Sequence, residues 1–171
     1  MKSYFAPVAL RLAFLALPAT SLLLSACATK ETDTVAVDYS KQDDALIQKY
    51  LADNKITTAQ KQPSGLYYVP VTTNATGTAA AGKTVVVLYT GTLLDNTVFD
   101  ASSKNGNKPI EFVLGTGRVI KGWDEGIALM RKGEKGVLLI PSALGYGANG
   151  AGSAIPPNTV IKFDVELTDV K

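Results

Sequence analysis

Two polar side chains, Asp100 and Tyr146, stand among aromatic and apolar residues where strand-like segments meet loops. A carboxylate accepts hydrogen bonds and a phenol can donate or accept one, so both need partners wherever they leave water. The neighbouring candidates are Tyr89, Phe99, Val119, Ile120, Trp123, Ile155 and Phe163. Each of these seven, taken singly, is more typical of a packed core than of a site. Asp100 and Tyr146 are harder to place in a core and are the stronger functional candidates.

The residue types that the sequence lacks exclude several kinds of chemistry. It has no histidine, which removes the usual base of Ser-His-Asp and Cys-His catalysis and a common zinc ligand. Its one cysteine, Cys27, excludes an intrachain disulfide, a CxxC redox pair and a thiolate metal cluster. We therefore expect neither a bound metal nor a cofactor.

The charge of the chain is balanced outside its first segment. Of the 17 basic and 15 acidic residues, the first 26 positions hold only two basic ones, Lys2 and Arg11. The remainder has equal numbers of both signs and offers no electrostatic footprint for DNA or RNA. We expect no nucleic-acid partner.

A glycine-rich segment, Gly145 to Gly150, matches the GxGxxG pattern of dinucleotide-binding turns. Such a turn must open a helix within a βαβ unit, so that the helix N-terminus meets the pyrophosphate. Here Pro141 precedes the pattern, Pro156 and Pro157 follow it, and the next predicted element is a terminal strand. The glycines therefore predict a loop and not a nucleotide site.

Residues 1–26 have the features of a secretory signal peptide, with basic residues before an apolar stretch. The end of this segment, Leu24-Ser25-Ala26-Cys27, resembles the lipobox of bacterial lipoproteins. The resemblance implies cleavage before Cys27 and acylation of its sulfur and new amine, and two or more acyl chains hold a protein stably on a membrane. An uncleaved membrane helix over residues 12–29 is the alternative, weakened by Pro18 and several hydroxyl residues.

The segments after the lipobox connect the anchor to the body of the chain. Ala28 in place of an aspartate resembles lipoproteins sorted to the outer membrane, so we expect a bacterial cell envelope protein facing the periplasm or the surface. Residues 27–41 are polar and mixed, which predicts a flexible tether. Residues 42–64 form a short helical arm, with a helix from about 43 to 53 that packs on the edge of the body.

Residues 65–171 predict strands with one embedded helix. The extended, β-branched or alternating segments are 65–69, 84–90, 97–100, 110–114, 136–140 and 160–170. Trp123, Ile127 and Met130 follow helical spacing, and Gly133 stands where a left-handed C-cap is expected. This order predicts an α+β fold in which the helix covers one face of a twisted antiparallel sheet.

Several stretches together resemble the FKBP-type peptidyl-prolyl cis–trans isomerases, in family order and over residues 65–171. The matching stretches are Val87 to Leu93, Val98 to Ser102, Phe112 to Gly115, Val119 to Gly126, Tyr146-Gly147, Ile155 to Thr159 and Phe163 to Leu167. The resemblance implies a sheet of five to six strands wrapped around the one short helix, with a pocket between them.

The resemblance also implies roles for the candidate residues. Trp123 would form the pocket floor, and the walls would be Tyr89, Phe99, Val119, Ile120 and Phe163. The backbone N–H of Ile120 and the hydroxyl of Tyr146 would bind substrate carbonyls. Asp100 would line the rim, and Ile155 would come from a loop over the pocket.

Two positions and one segment depart from the family pattern. Ile110 stands where an aromatic residue is common, and Ala151 where a bulkier residue is frequent. The segment from Ser102 to Lys108 is one residue longer than usual, so Lys104 is only a candidate for the basic partner of Asp100. These differences concern affinity and sequence preference more than the reaction.

The function implied is acceleration of Xaa-Pro bond rotation in unfolded or exported proteins, in a pocket that macrolide inhibitors would also fill. Such rotation needs no proton transfer, which agrees with the missing histidine. A non-catalytic, chaperone-like module that binds Pro-containing segments is the alternative. The arm is too short for the long helical dimerisation segment of some relatives, so we expect a monomer.

Overall fold

The computed structural model describes residues 38–72 and 76–171. The helices are α1 (Ser40–Asp53) and α2 (Lys121–Ala128). The strands are β1 (Gln60–Lys61), β2 (Tyr67–Pro70), β3 (Thr76–Thr78), β4 (Thr84–Leu93), β5 (Val98–Ala101), β6 (Ile110–Val113), β7 (Arg131–Lys132), β8 (Lys135–Ile140) and β9 (Ile161–Val170). The predicted signal peptide, Cys27 and most of the predicted tether lie outside the described residues.

The main sheet is antiparallel and has seven strands, one of which, β1, has only two residues. Its order is β1-β2-β8-β9-β4-β5, and β6 also pairs with β4. The prediction of an α+β fold with an antiparallel sheet and a covering helix is confirmed. The six longer strands are the six predicted ones, while β1 and the separate β3–β7 pair add to them.

Strands β5 and β6 share one side of β4 and leave a gap between them. β6 pairs with Thr84 to Val87, and β5 pairs with Thr90 to Thr92. Within the gap, the N–H of Tyr89 donates to Oγ of Ser102 at 3.0 Å. This break in the ladder lies beside the start of α2.

Helix α2 covers one face of the sheet at unusually close range. A Cβ on Gly122 would lie 2.5 Å from Cγ2 of Ile140, and a Cβ on Gly126 would lie 2.6 Å from Cδ2 of Leu138. The two glycines are four residues apart and share one side of the helix, so its backbone can rest on the side chains of β8. Trp123 and Ile127 are carried into the main core by this contact.

The end of α2 corrects one prediction. The helix ends at Ala128, and Leu129, still right-handed, is its C-cap. Gly133 does have a positive φ of 88°, but it lies in the turn between β7 and β8 and not at the helix end. The short β7 strand intervenes because the chain turns to pair with β3 directly after the helix.

Helix α1 packs on the opposite face, at the β1–β2–β8 end of the sheet. Ile47 and Leu51 pack in one cluster with Tyr67, Val69 and Leu139 of the sheet and with Val160, which precedes β9. The helix begins at Ser40, earlier than predicted, and the Ser40 N–H donates to Oδ1 of Asp38 at 2.9 Å. The predicted arm also contains β1, which pairs with β2.

The glycine-rich segment contains no α-helix. It follows a 3₁₀ turn, Ser142–Leu144, and includes a second one, Gly147–Asn149. The C=O of Gly147 accepts a hydrogen bond from the N–H of Asn158 at 2.8 Å, which folds the segment back on itself. Of the helices in the described part of the chain, none has the length and apolar character that crossing a membrane requires.

Candidate active site

A cavity of about 390 Å³ opens between the concave face of the sheet and the start of α2. It lies where the gap between β5 and β6 exposes Tyr89. Its lining residues are Tyr89, Asp100, Ile110, Arg118, Val119, Ile120, Trp123, Tyr146 and Phe163. This volume is in the range of small-ligand sites and accommodates a proline ring with its flanking peptide groups.

The floor of the cavity is an aromatic cluster centred on Trp123. Its ring meets Tyr89 and Phe163 edge to face, each with centroids 5.1 Å apart, and it lies 5.9 Å from Phe112. Edge-to-face contacts of this kind fix ring orientation. The buried indole Nε1 has no hydrogen-bond acceptor among the described residues. The floor therefore offers an apolar surface to a ligand, since the indole nitrogen is itself buried.

Asp100 is held in place by two donors. The Tyr89 hydroxyl donates to Oδ2 at 2.7 Å, and the Ala101 N–H donates to Oδ1 at 2.8 Å. Burial, followed by the hydrogen bond to Asp100 and its negative charge, raises the pKa of Tyr89 to about 12. The carboxylate is thus fixed at the rim of the cavity, and Tyr89 keeps its proton at neutral pH.

Tyr146 extends from the glycine-rich segment to the mouth of the cavity. It is 36% exposed, and its hydroxyl has no partner within the described residues. Burial and the negative charge of Asp100 raise the pKa of Tyr146. The phenol is therefore a neutral hydrogen-bond donor at physiological pH, available to a ligand.

The backbone at Ile120 provides a second donor. Ile120 precedes α2, and its C=O accepts from the N–H of Trp123 at 2.9 Å and of Asp124 at 3.3 Å. Its own N–H has no acceptor in residues 38–72 and 76–171. Because the first N–H groups of a helix region lack intrahelical partners, this one can bind a carbonyl in the cavity.

Asp124 supports this part of the site from behind. Its two carboxylate oxygens accept from the N–H groups of Gly115 and Gly117, both at 2.9 Å. These bonds tie the loop before α2 to the first turn of the helix, where a carboxylate is also favoured by the helix dipole. Val119 and Ile120 are thereby held at the cavity wall. The sequence prediction gave Asp124 no role, although an acid in the first turn was a usable signal.

Seven of the nine predicted site residues line the cavity, and Phe99 and Ile155 do not. The Phe99 ring packs edge to face on Phe163 at 5.4 Å and so supports the wall from outside. Ile155 is buried in the main core. Its N–H and C=O pair with Ala151 at 3.1 and 2.8 Å, and this folded segment turns the side chain inward.

The structure also locates three residues outside these nine, which are Ile110, Arg118 and Lys104. Ile110 and Arg118 both line the cavity, and the sequence prediction gave neither of them a place among the site residues. Lys104 does not pair with Asp100, because its ammonium donates to the C=O of Phe99 at 2.8 Å. No Lys or Arg in the described segments forms an ion pair with Asp100.

The chemistry of this site is that of shape and hydrogen bonding. Across residues 38–72 and 76–171, no three His, Cys, Asp or Glu side chains gather in a way that could hold a metal ion. What the cavity presents is a ring-lined floor, a fixed carboxylate and two available donors. Such a site can bind and orient a peptide, but it holds no activated nucleophile.

The family model for FKBP-type peptidyl-prolyl cis-trans isomerase matches residues 75–168, more than half of the chain. The chain belongs to this family. The match includes every residue of the cavity, and the chain is a peptidyl-prolyl cis–trans isomerase. Helix α1 and strands β1 and β2 precede the matched segment.

Curated relatives support this membership. FK506-binding protein 1 of Dictyostelium discoideum is 53% identical over 90 residues, which cover 53% of this chain and 83% of the relative. Peptidyl-prolyl cis-trans isomerase FPR2 of Saccharomyces cerevisiae is 56% identical over 94 residues, 54% of this chain and 69% of the relative. The FK506-binding protein of Neisseria meningitidis serogroup C is 52% identical over 92 residues, 54% of this chain and 84% of the relative.

Solved structures share the fold. FkpA from Escherichia coli has a TM-score of 0.66 at 38% identity, with 77% of this chain covered and 61% of FkpA. AtFKBP13 has a TM-score of 0.63 at 36% identity, with 67% of this chain and all of that chain covered. The FKBP fold is therefore shared over more of this chain than the family model matches.

Proposed function

We propose that Xaa-Pro bonds rotate in the cavity above Trp123, and that Ile120 and Tyr146 hold the flanking peptide carbonyls. The barrier to rotation, about 18–20 kcal/mol, arises from amide resonance, which is lost in the twisted state. The twisted amide has a smaller dipole than the planar one, so an apolar, water-poor cavity favours it. No covalent step is required.

The two donors allow the cavity to bind a peptide segment in one orientation. The Ile120 N–H belongs to the wall, and the Tyr146 hydroxyl lies at the mouth, so together they can fix a substrate segment on both sides of the rotating bond. Holding the segment in a turn-like geometry reduces the entropy lost on reaching the transition state. The observation that carries this proposal is that both donors lack a hydrogen-bond partner among the described residues and belong to one ring-floored cavity.

Asp100 acts in this proposal through its fixed position. It orients the Tyr89 ring by accepting its hydroxyl, and its charge stays at the rim because two donors hold it. Removing the carboxylate would free the Tyr89 ring and lower the order of the cavity wall. Asp100 therefore shapes the site without exchanging a proton.

The experiment compares Tyr146→Phe and Asp100→Ala in the purified full chain, with isomerisation of an Xaa-Pro tetrapeptide as the assay. We expect kcat/KM to fall about 3- to 10-fold in each variant, as removal of one hydrogen bond predicts. Binding of a permanently unfolded, Pro-containing client should weaken less. Tyr68→Phe is the matched control, because it removes a buried phenol hydroxyl outside the cavity. Unchanged turnover in both variants would contradict the assigned roles.

We further propose that the chain is a bacterial lipoprotein anchored through acyl groups on Cys27. There it would catalyse Xaa-Pro isomerisation in exported proteins at the cell envelope. The lipobox-like sequence before Cys27 supports this proposal. Ala28 favours the outer membrane over the inner one. Mass spectrometry of the membrane-bound protein should find residue 27 at the N-terminus with lipid attached. An intact N-terminus without lipid would favour the membrane-helix alternative.

The ligand and oligomeric state complete the proposal. Relatives are named for binding FK506, and the cavity has an aromatic floor and a volume in the range of small-molecule sites, so part of such a macrolide can enter it. We propose that such macrolides compete with Xaa-Pro substrates and that the protein acts as a monomer. A concentration-independent dimer in light scattering would overturn the latter point.

A further inference from the structure

A buried hydrogen-bonded pair joins α1 to the segment that carries Tyr146. Asp43 in α1 and Ser142, 99 positions later, are 1% and 2% exposed. Oδ2 of Asp43 accepts from the Ser142 N–H at 2.8 Å and from its hydroxyl at 2.7 Å. One carboxylate oxygen thus holds both the backbone and the side chain of Ser142.

Ser142 is four positions before Tyr146, and the residues between them are tightly folded. The N–H of Leu144 donates to the C=O of Pro141 and the N–H of Gly145 donates to the C=O of Ser142, both at 3.0 Å. A Cβ on Gly145 would already lie 3.2 Å from Cδ1 of Ile161, so this turn sits directly on the core. Ser142 and Tyr146 are therefore joined by a short hydrogen-bonded turn, so the position of Ser142 helps to set the position of Tyr146.

The pair is largely shielded from solvent, because Asp43 is 1% exposed even though it lines a cavity of about 280 Å³ beside Lys61 and Pro141. Its other oxygen, Oδ1, is buried and has no partner in the described residues, so the two bonds from Ser142 are the only ones the carboxylate makes there. Hydrogen bonds to a charged group in a poorly solvated position are stronger than neutral ones. The geometry of Ser142 is thus set by α1.

The adjacent acid has a different partner set. Asp44 accepts from the Tyr67 hydroxyl at 2.8 Å and pairs with Lys61 at 2.6 Å, which attaches α1 to β1 and β2. It makes no hydrogen bond or ion pair with the Ser142–Tyr146 segment. Asp44 therefore holds the helix on the sheet, and Asp43 holds the segment that carries Tyr146.

We propose that Asp43 is a positioning residue for Tyr146, so that α1 is part of the support of the active site. This inference rests on the proposed role of the Tyr146 hydroxyl. Helix α1 lies outside residues 75–168, so the support comes from a part of the chain that the family model does not match.

The test is a double-mutant cycle in the purified full chain, with tetrapeptide isomerisation and macrolide affinity as readouts. Asp43→Ala should lower kcat/KM about fivefold in the native background and less than about 1.5-fold when Tyr146 is already Phe, because coupled residues give non-additive effects. Asp43→Asn keeps an acceptor and should restore part of the loss. Asp44→Ala is the matched control and should leave kcat/KM within about twofold.

The outcomes separate this inference from the function on which it rests. If Tyr146→Phe has no effect, the role of Tyr146 fails and the positioning role fails with it. If Tyr146→Phe lowers kcat/KM but Asp43→Ala lowers it equally in both backgrounds, only the positioning role is overturned. The positioning role is also overturned if Asp44→Ala lowers kcat/KM as much as Asp43→Ala does. Should Asp43→Ala not fold, Asp43→Asn and Ser142→Ala carry the same cycle with a smaller expected loss.

Discussion

The two helices cover opposite faces of the same sheet but leave different interiors beneath them. Under α2, aromatic rings meet edge to face around Trp123 and enclose a cavity of about 390 Å³. Under α1, Ile47 and Leu51 fill the space against Tyr67 and its neighbours. Aliphatic side chains interdigitate under α1, whereas the ring cluster under α2 has one side open to the cavity. The choice of side chain, more than the presence of a helix, determines where a site can form.

We expect the largest effects from substitutions of two adjacent leucines on β8, which face different helices. Leu138 faces α2, Leu139 faces α1, and both are fully buried. Replacing either by Ala should lower the free energy of unfolding by about 2–5 kcal/mol. Only Leu138→Ala should also reduce isomerase activity, because Leu138 supports the backbone of α2 at Gly126. Denaturant unfolding and kcat/KM measure the two effects, and equal activity losses in both variants would contradict the separation of the two faces.

Gly91 tests whether ring placement keeps the cavity open. It lies on β4 opposite Asp100 and Phe163, and a Cβ there would be 2.6 Å from the rings of Phe163 and Phe99. Gly91→Ala should push both rings out of position, at a cost of about 1–3 kcal/mol in stability and a loss of roughly tenfold in macrolide affinity. Calorimetric titration measures the affinity. Native affinity in this variant would mean that the walls can move without changing the cavity.

The two regions should respond to opposite extremes of pH. The pKa of Tyr89 is raised from 10.0 to about 12, chiefly by burial, so its contribution to stability is full below pH 10 and lost as pH rises through 12. Hydrogen bonds from Lys61 and then Tyr67 lower the pKa of Asp44 below 3.8, so its contribution is lost as pH falls below that value.

Hydrogen exchange against pH separates these two responses. Amides of α1 and β1 should lose protection first in acid, and amides around β4 and α2 first in alkali. Tyr89→Phe should remove its part of the alkaline loss without changing the acid response, and Asp44→Asn should do the reverse. Loss of protection in the same region at both extremes would contradict the assignment.

The smallest expected effect concerns Arg118 at the exposed side of the cavity. It forms no ion pair with any described residue, so its charge is available to a substrate. Arg118→Glu should shift the kcat/KM ratio between peptides with Glu and with Lys beside proline by about 3- to 10-fold, and added salt should reduce the shift. An unchanged ratio at low salt would show that this position does not read substrate charge.

The sequence predicted the elements that carry a strong local pattern. Strand β9 alternates over ten residues and was placed within one residue, and α2 was found from its apolar residues at helical spacing, although its predicted end was too late. The two-residue strands β1 and β7 have no such pattern, because their pairing depends on partners elsewhere in the chain. Gly133 was misplaced because a positive φ serves a hairpin turn as well as a helix end.

Site residues that belong to a recognisable motif were predicted correctly. Residues whose orientation depends on contacts with other segments were predicted less well. Trp123 and Tyr146 line the cavity as expected, but Ile155 turns inward because of its pairing with Ala151. The link from Asp43 to Ser142 spans 99 positions and has no local signal at either end. The sequence predicted only that α1 packs on the edge of the body. The burial of Asp43 depends on Ser142, which only the folded chain brings next to it.

The most direct test of the account follows the only tryptophan while a macrolide inhibits the enzyme. Purified full chain is titrated with FK506, and Trp123 fluorescence and the rate of Xaa-Pro isomerisation are measured on the same samples. If the cavity above Trp123 is the isomerase site, both signals will change together, saturate at one equivalent and give one dissociation constant. Inhibition without a change in Trp123 fluorescence, or quenching with the rate intact, would contradict that assignment.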